Sequence, residues 1–257
     1  MNILITGGNG YIGKSLSKNL SEAISVNRKV FDLTDRYSTD KWFDGKYFDI
    51  VIHTAVKGGS RLSEDNGDVC YQNLQMFYNL LNNRHCFGKL INLGSGAELN
   101  VPSNPYGISK NAISRIIDTE SRFYNIRIYG VFDENELDTR FIKSNIKRYI
   151  NKQPIIIHQN KLMDFFYMED LIKLVKYYVK NTYLPKHIDC SYSYHYSLTG
   201  IADMINKLSD YKVKIKTELP GHNRYIGEYN PIIIPPSYKG LKVGIKETYK
   251  KLLNETN

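Results

Sequence analysis

The stretch GSGAELNVPSNPYGISK, residues 94 to 110, sets Tyr106 and Lys110 four positions apart, with Ser95 eleven positions before the tyrosine. These three residue types can move a proton onto or off a carbonyl oxygen. A phenol with an ordinary pKa near 10 is a poor base and a good acid. A lysine ammonium beside it, and a cationic nicotinamide ring in an oxidised cofactor, lower that pKa toward neutrality. The serine hydroxyl can hold the carbonyl or alcohol oxygen against the phenol. The same spacing also arises where a polar loop simply runs into a helix, so the elements around it must decide.

Those elements have the right order. KLINLGS is a strand that ends at Ser95. It is counted here as the fifth. Asn104 is a helix cap and Pro105 suits the first helical position, so Tyr106 and Lys110 lie one turn apart on one face. Upstream, short apolar runs at Ile3–Thr6, Ile50–His53 and Leu90–Leu93, and downstream at Ile126–Tyr129, alternate with helical patterns. In those patterns Ile12, Leu16 and Leu20 share one face, as do Leu74, Phe77 and Leu81. Strand–helix alternation implies right-handed crossovers and a parallel sheet covered on both faces. After about residue 131 the pattern changes. TRFIKSNIKRYI, MEDLIKLVKYYVK, SLTGIADMINKL and LKVGIKETYKKLL are helices, the third capped by Ser197 or Thr199, and PIIIHQ is a short strand. NPIIIPPSY is bounded by prolines and cannot be a regular central strand throughout. The expected architecture is α/β: a Rossmann-type doubly wound parallel sheet over residues 1–130, with a smaller C-terminal α/β substrate lobe over 131–257.

The first strand leads into a phosphate cradle. NILITGGNGYIGKSL is a strand, a glycine-rich turn and a helix, with glycines at Gly7, Gly10 and Gly13. Gly7 permits the tight turn, Gly10 lets backbone N–H groups approach a diphosphate, and Gly13 lets the helix pack against the sheet. The helix start, Tyr11 and Ile12, then faces the anion. Near the end of the second strand an acidic residue would bind a ribose hydroxyl and favour NAD. SVNRKVFDLTD instead offers Arg28 and Lys29, cations that would attract the 2′-phosphate of NADP. The alternative for both is a solvated surface charge. NADP(H) is therefore favoured, with NAD(H) as the alternative. His53 is read as a strand residue.

TGGNGYIG with SNPYGISK resembles the extended short-chain dehydrogenase/reductases, a family that mostly acts on nucleotide-linked sugars. The resemblance covers nearly the whole chain. YQN at Tyr71–Asn73, IRIYGVF, KLMDFFYMEDL and SLTGIADMI match further family segments. Within the family the chain is most similar to the nucleotide-sugar 4-ketoreductase and epimerase group that includes GDP-fucose synthase, through AVKGGS, YQN and Arg28. The resemblance implies a Ser95–Tyr106–Lys110 triad, with Lys110 also on the nicotinamide ribose. It implies Asp32 and Leu33 of DLTD beside the adenine, and Ala55 of VIHTAV where the family's fourth strand passes under the cofactor. It also implies a homodimer formed through helices flanking the Tyr106 helix.

What is missing narrows the reaction. Family dehydratases carry an Asp–Glu pair after the strand-end serine or threonine, where this chain has Gly96 and Ala97; Glu98 is one position beyond. GDP-fucose synthase epimerises with a cysteine at the Ala97 position and a histidine near Thr139–Arg140, and this chain has neither. Hydride transfer remains: a ketoreductase of a nucleotide-linked, 6-deoxy sugar, or a 4-epimerase that oxidises and re-reduces one carbon with bound NAD. A non-catalytic dinucleotide-binding module is the reading from a different class. The family's phosphate-binding arginine before D-F is Met163, with Lys161 and Arg224 as candidate replacements or else surface charges.

Bulk properties agree with a globular enzyme. A chain of 257 residues, 42% hydrophobic and 24% charged, can bury one sizeable core or a core with a smaller lobe. No apolar run approaches the ~20 residues that cross a bilayer, and no secretory leader is evident. Cys70, Cys86 and Cys190 lack metal-ligand spacing and read as free thiols of a reducing compartment, so the cytoplasm is expected and no metal is called for. The net charge of +9 contains no basic block and no nucleic-acid motif, so no nucleic-acid partner is expected.

Overall fold

The structure, a computed structural model, describes residues 1–60, 64–100, 103–231 and 238–256. It divides into two compact units, Met1–Arg127 with Val175–Ile188, and Ile128–Leu174 with Asp189–Asn257. The chain thus returns to the first unit over Val175–Ile188, a return that a single boundary at residue 130 does not contain.

In the first stretch the elements are β1 (Ile3–Thr6), α1 (Tyr11–Asn19), β2 (Ala23–Val26), α2 (Arg36–Phe43), β3 (Phe48–His53), α3 (Gly67–Asn82), β4 (Phe87–Ser95), α4 (Ala97–Asn100), α5 (Pro105–Thr119) and β5 (Phe123–Ile128). There follow β6 (Val131–Phe132), α6 (Phe141–Ile150), β7 (Ile155–Met163), β8 (Phe166–Tyr167), α7 (Met168–Lys180), β9 (His187–Asp189), α8 (Leu198–Ile205), β10 (Ile215–Tyr225) and α9 (Gly240–Thr256).

Among the described residues the central sheet has six strands in the order β2-β1-β3-β4-β5-β9, a doubly wound parallel sheet. Its strand order reverses at β1, between β2 and β3, which makes the carboxyl end of β1 the topological switch point where ligands bind in such sheets. The run KLINLGS is therefore the fourth strand, not the fifth. Between β2 and α2 the chain makes turns, with Val30 N–H bonded to the Asn27 carbonyl and Asp35 N–H to that of Asp32, and no strand forms there.

The central strands also start earlier than their aliphatic runs suggest. β3, β4 and β5 open on the buried residues Phe48, Phe87 and Phe123. Phe48 pairs with Phe87 in register, and Phe87 stacks on Phe123 at 5.9 Å. Each such ring contributes about 1.5–3 kcal/mol by burial alone, enough to extend a strand by several residues. Phe77 from α3 and Ile113 and Ile117 from α5 complete this core. Asp35 caps α2 by accepting from the Tyr37 N–H at 3.0 Å.

The second unit packs α6, α8 and α9 around β7, with Ile142, Ile146, Ile155, Ile157, Ile201 and Ile245 fully buried. Ser197 caps α8 as expected, its hydroxyl accepting from the Gly200 N–H at 3.0 Å. β10 was not foreseen. It pairs in parallel with β7, and Pro220 and Gly221 fall within the register shift between Leu219 and Asn223. A polar, largely exposed strand broken by Pro and Gly carries no alternating pattern to read. In NPIIIPPSY, residues 232–237 lie outside the described residues. No helix among the described residues is long and apolar enough to cross a membrane.

Candidate active site

The turn after β1 is shaped by contacts that exclude side chains. Gly7 has φ +72°, and a Cβ there would lie 2.6 Å from the Ala55 backbone nitrogen. The segment after β3 is held against β1 by Thr54, whose hydroxyl donates to the Thr6 carbonyl at 2.6 Å. A Cβ on Gly13 would lie 2.4 Å from the Gly7 carbonyl oxygen, so α1 sits as close to the turn as its backbone allows. Gly10 occupies the N-cap position, its N–H donating to the Gly7 carbonyl at 2.9 Å. Helix geometry leaves first-turn N–H groups without intrahelical acceptors, and α1 has no acidic residue in that turn. Gly7, Gly10 and Gly13 thus shape a close-packed turn at the switch point, with Tyr11 and Ile12 opening α1 and Ala55 against Gly7, and a helix start at such a turn fits the diphosphate of a dinucleotide.

Beyond β2, Arg28 donates from Nε to Asp32 Oδ2 at 2.8 Å and from Nη2 to the Thr34 hydroxyl at 3.4 Å. Its side chain is 68% exposed. Burial pushes the Asp32 carboxyl up, but hydrogen bonds from Arg28 and Thr34 outweigh it and leave the carboxyl below its ordinary value. Leu33 differs from its neighbours. Its side chain belongs to the core, and its carbonyl accepts from Asn79 at 2.7 Å, so any contact it makes with a ligand is through backbone.

Ser95 is the last residue of β4, and Tyr106 and Lys110 sit in the first two turns of α5. Asn104 caps α5, accepting from the Gly107 N–H at 2.6 Å, with Pro105 at the first helical position. Lys110 is 5% exposed. Its ammonium donates to the Leu93 carbonyl at 2.9 Å, which ties α5 to the end of β4 two residues before Ser95, and lies 5.8 Å from the Tyr106 ring centroid. Burial lowers the Lys110 pKa from 10.5 to about 8, and the charge of Glu98 resists the fall. The Ser95 hydroxyl accepts from the Ala97 N–H at 3.1 Å; a hydroxyl that accepts there can still donate its proton. His53 is a strand residue: buried, bonded to the Thr6 hydroxyl at 2.9 Å, and driven to about 3 first by burial and then by the Lys110 charge, so it is neutral.

Other residues that build this place were given no role by sequence. Asn73 is 2% exposed on α3. It accepts from the Lys57 N–H at 2.8 Å and donates to the Lys57 carbonyl at 2.9 Å and the Ser109 hydroxyl at 3.1 Å, pinning the loop after β3 to α5. Its signal was present, a polar residue on the apolar face of a helix. Gly59, at φ +70°, passes so near Tyr106 that a Cβ would lie 2.8 Å from the ring's Cζ. Asp65 holds that loop by accepting from the Gly59 N–H at 3.0 Å. Glu98, on α4, is 1% exposed, accepting from Asn125 at 2.9 Å and lying 3.7 Å from Arg127 Nε.

Lys161 and Arg224 belong to the second unit, on β7 and β10. Lys161 pairs with Asn223 and Arg224 with Leu162, so the two cations are on adjacent register positions and face opposite sides of the ribbon. Met163 is 3% exposed and part of that unit's core.

Comparison with known proteins follows the same lines. The model of the NAD dependent epimerase/dehydratase family matches residues 3–190. The chain is 22% identical over 270 residues to CDP-abequose synthase of Yersinia pseudotuberculosis, covering 93% of each. Among solved structures it is similar to a GDP-mannoheptose C4 reductase from Campylobacter jejuni with NADP bound (TM-score 0.81, 16% identity, 98% of each chain). It is also similar to a UDP-glucose 4-epimerase from Thermotoga maritima with UDP-glucose (TM-score 0.84, 17% identity, 100% of each chain).

Proposed function

Since the chain belongs to the NAD dependent epimerase/dehydratase family, we propose that it is an NADP(H)-dependent reductase of the 4-keto group of a nucleotide-linked, 6-deoxy sugar. The observation that carries this reading is the pair at the head of α5: Tyr106 with the buried Lys110 ammonium 5.8 Å from its ring centroid, tied to the end of the strand that terminates in Ser95. Gly96 and Ala97 have no group able to take a proton for elimination or ring epimerisation. Glu98 is drawn under the strand by Asn125 and Arg127.

In this reading the turn Gly7–Gly13 holds the dinucleotide diphosphate, Ala55 lines the passage beside it, Arg28 meets the 2′-phosphate, and Asp32 and the Leu33 backbone border the adenosine. Bound, the reduced nicotinamide supplies the hydride that converts the carbonyl carbon to an alcohol carbon. Ser95 Oγ donates a hydrogen bond to the carbonyl oxygen and fixes it beside Tyr106. The Tyr106 hydroxyl releases its proton to that oxygen as negative charge develops there. The Lys110 ammonium stabilises the phenolate left behind, and a proton from solvent restores the phenol. Lys161 and Arg224 are proposed contacts for the nucleotide phosphates, and on opposite faces of their ribbon they would act singly. The similarity to CDP-abequose synthase supports a nucleotide-linked sugar, and that to the C. jejuni GDP-mannoheptose C4 reductase supports a reduction at a sugar carbon.

The second reading is a 4-epimerase. The same Tyr106–Lys110 pair would work in both directions, and the similarity to UDP-glucose 4-epimerase is of equal quality in fold. The deciding experiment uses wild type and Tyr106→Phe with CDP-, GDP- and UDP-linked 4-keto-6-deoxyhexoses. Stoichiometric NADPH consumption that falls roughly 10²–10⁴-fold in Tyr106→Phe is expected. Undiminished consumption in Tyr106→Phe removes the proton-donor role. Purified protein retaining NAD, with interconversion of UDP-sugars and no net consumption, establishes the epimerase instead.

A further inference from the structure

We propose that Asp65 is a positioning residue for the proton donor: its carboxylate holds Gly59 against the hydroxyl end of the Tyr106 ring and so fixes where the phenol stands. The inference rests on the proposed role of Tyr106 for its meaning and on the contacts of the loop after β3 for its substance.

The loop meets the ring at its reacting end. A Cβ on Gly59 would lie 2.8 Å from Tyr106 Cζ, 2.9 Å from Cε2 and 3.2 Å from Cε1. These are the hydroxyl-bearing carbon and its two neighbours. The Gly59 backbone therefore abuts the half of the ring that carries the donor oxygen, and any larger residue there must push ring or loop aside.

Asp65 holds that backbone in place. The Gly59 N–H donates to Asp65 Oδ1 at 3.0 Å and to Oδ2 at 3.2 Å. A backbone N–H shared by both oxygens of a carboxylate makes a charge-assisted bond, stronger than one between neutral groups. Gly58 closes on the same carboxylate. At φ +78°, a Cβ there would lie 2.4 Å from Asp65 Oδ1 and 2.5 Å from Val69 Cγ1. Two successive glycines thus wrap the loop around Asp65, which stands just ahead of α3.

The other end of the loop is tied separately. Lys57 accepts from and donates to the Asn73 amide through its backbone. Asn73 also donates to the Ser109 hydroxyl at 3.1 Å, which donates to the Tyr106 carbonyl at 2.7 Å. Asn73 therefore relates the backbone of Tyr106 to the loop, and Asp65 relates the far end of its ring to the same loop. Without Asp65 the loop loosens where it touches the ring, while the Asn73 anchorage stays. A reacting group misplaced by about 1 Å loses about 10²-fold in rate.

The test compares Asp65→Ala, which removes both acceptors, with Asp65→Asn, which keeps one. Two NMR signals report the geometry without turnover. One is the Gly59 amide, by its exchange with solvent. The other is the Tyr106 ¹³Cζ resonance of tyrosine-labelled protein, assigned by its loss in Tyr106→Phe. In Asp65→Ala the Gly59 amide is expected to exchange roughly tenfold faster or more, and the Tyr106 resonance to move. With keto sugar and NADPH, kcat is expected to fall roughly tenfold to a hundredfold, with KM for the sugar and Kd for NADPH within about twofold of wild type. Asp65→Asn is expected to recover kcat to within about threefold of wild type. A Tyr106 resonance or kcat unmoved in Asp65→Ala, an Asp65→Asn as impaired as Asp65→Ala, or a loss of ligand affinity as large as the loss of kcat overturns the proposal. Asp65 is half-buried on a loop, so the fold is expected to survive. If Asp65→Ala does not fold, Asp65→Ser, whose one oxygen stands a bond closer to its own backbone, takes its place with the same expectations. A wild-type chain that turns over no keto sugar sinks the reductase reading and leaves the two NMR signals to decide the positioning.

Discussion

Lys110→Met should destroy turnover and yet stabilise the protein at neutral pH. Burial lowers the Lys110 pKa from 10.5 to about 8, so below pH 8 the folded chain holds an ammonium that water would hold more favourably. The difference corresponds to about 3 kcal/mol at ~1.4 kcal/mol per pH unit. Methionine fills nearly the same volume without the charge. Against the gain stands the Leu93 carbonyl, which loses its 2.9 Å donor at a cost of about 1–2 kcal/mol. The net expectation is a stabilisation of about 1–2 kcal/mol at pH 7. The sign of its pH dependence is fixed by linkage. Between about 8 and 10.5 the unfolded chain keeps the lysine proton and the folded chain does not, so wild-type stability rises through that window relative to the variant. Below 8 both states hold the proton and the penalty is full. Urea unfolding of both proteins at half-unit steps from pH 6.5 to 9.5 measures the difference, in which the titrations that do not feel the Lys110 charge cancel. Parallel stability curves, or a variant less stable at pH 7 that gains on wild type as pH rises, would refute the reasoning.

Two other substitutions probe how the site is held. Gly59→Ala places a Cβ 2.8 Å from Tyr106 Cζ on a backbone at φ +70°, so ring or loop must move; kcat should fall roughly tenfold to a hundredfold with NADPH affinity within about twofold of wild type. Steady-state kinetics with a fluorescence titration of NADPH check it, and an unchanged kcat would show that the loop does not fix the ring. Arg28→Ala removes a charge-assisted contact worth about 1.5–3 kcal/mol, so the Kd for NADPH should rise roughly tenfold to a hundredfold while that for NADH stays put. Equal weakening of both cofactors would take Arg28 away from the 2′-phosphate.

Much of the first unit was legible because its signals are local. The glycines at 7, 10 and 13 lie between an apolar run and a helical face, and the collisions a Cβ would make at Gly7 and Gly13 are the physical content of that motif. Asn104 and Pro105 announce α5, and the four-residue spacing puts Tyr106 and Lys110 on one face. The limits were equally physical. Strand starts at Phe48, Phe87 and Phe123 depend on rings stacked across the sheet, and β10 depends on a partner some sixty residues away (Ile215 beside Ile155).

Glu98 shows why a residue's place in a motif is a poorer guide than the strand beneath it. By sequence it is an acid one position beyond a dehydratase pair, close to Ser95 and without an evident use. Its partners are Asn125 and Arg127, twenty-seven and more residues away, and they reach it because β5 follows β4 in the sheet. Once those strands are neighbours, the same carboxyl lies buried beside an arginine, 3.7 Å from Arg127 Nε. Gly96 and Ala97 add no polar side chain between Ser95 and Glu98, and the Glu98 carboxyl is itself 1% exposed. The acid that looks misplaced for elimination is held by the strand that follows its own in the sheet.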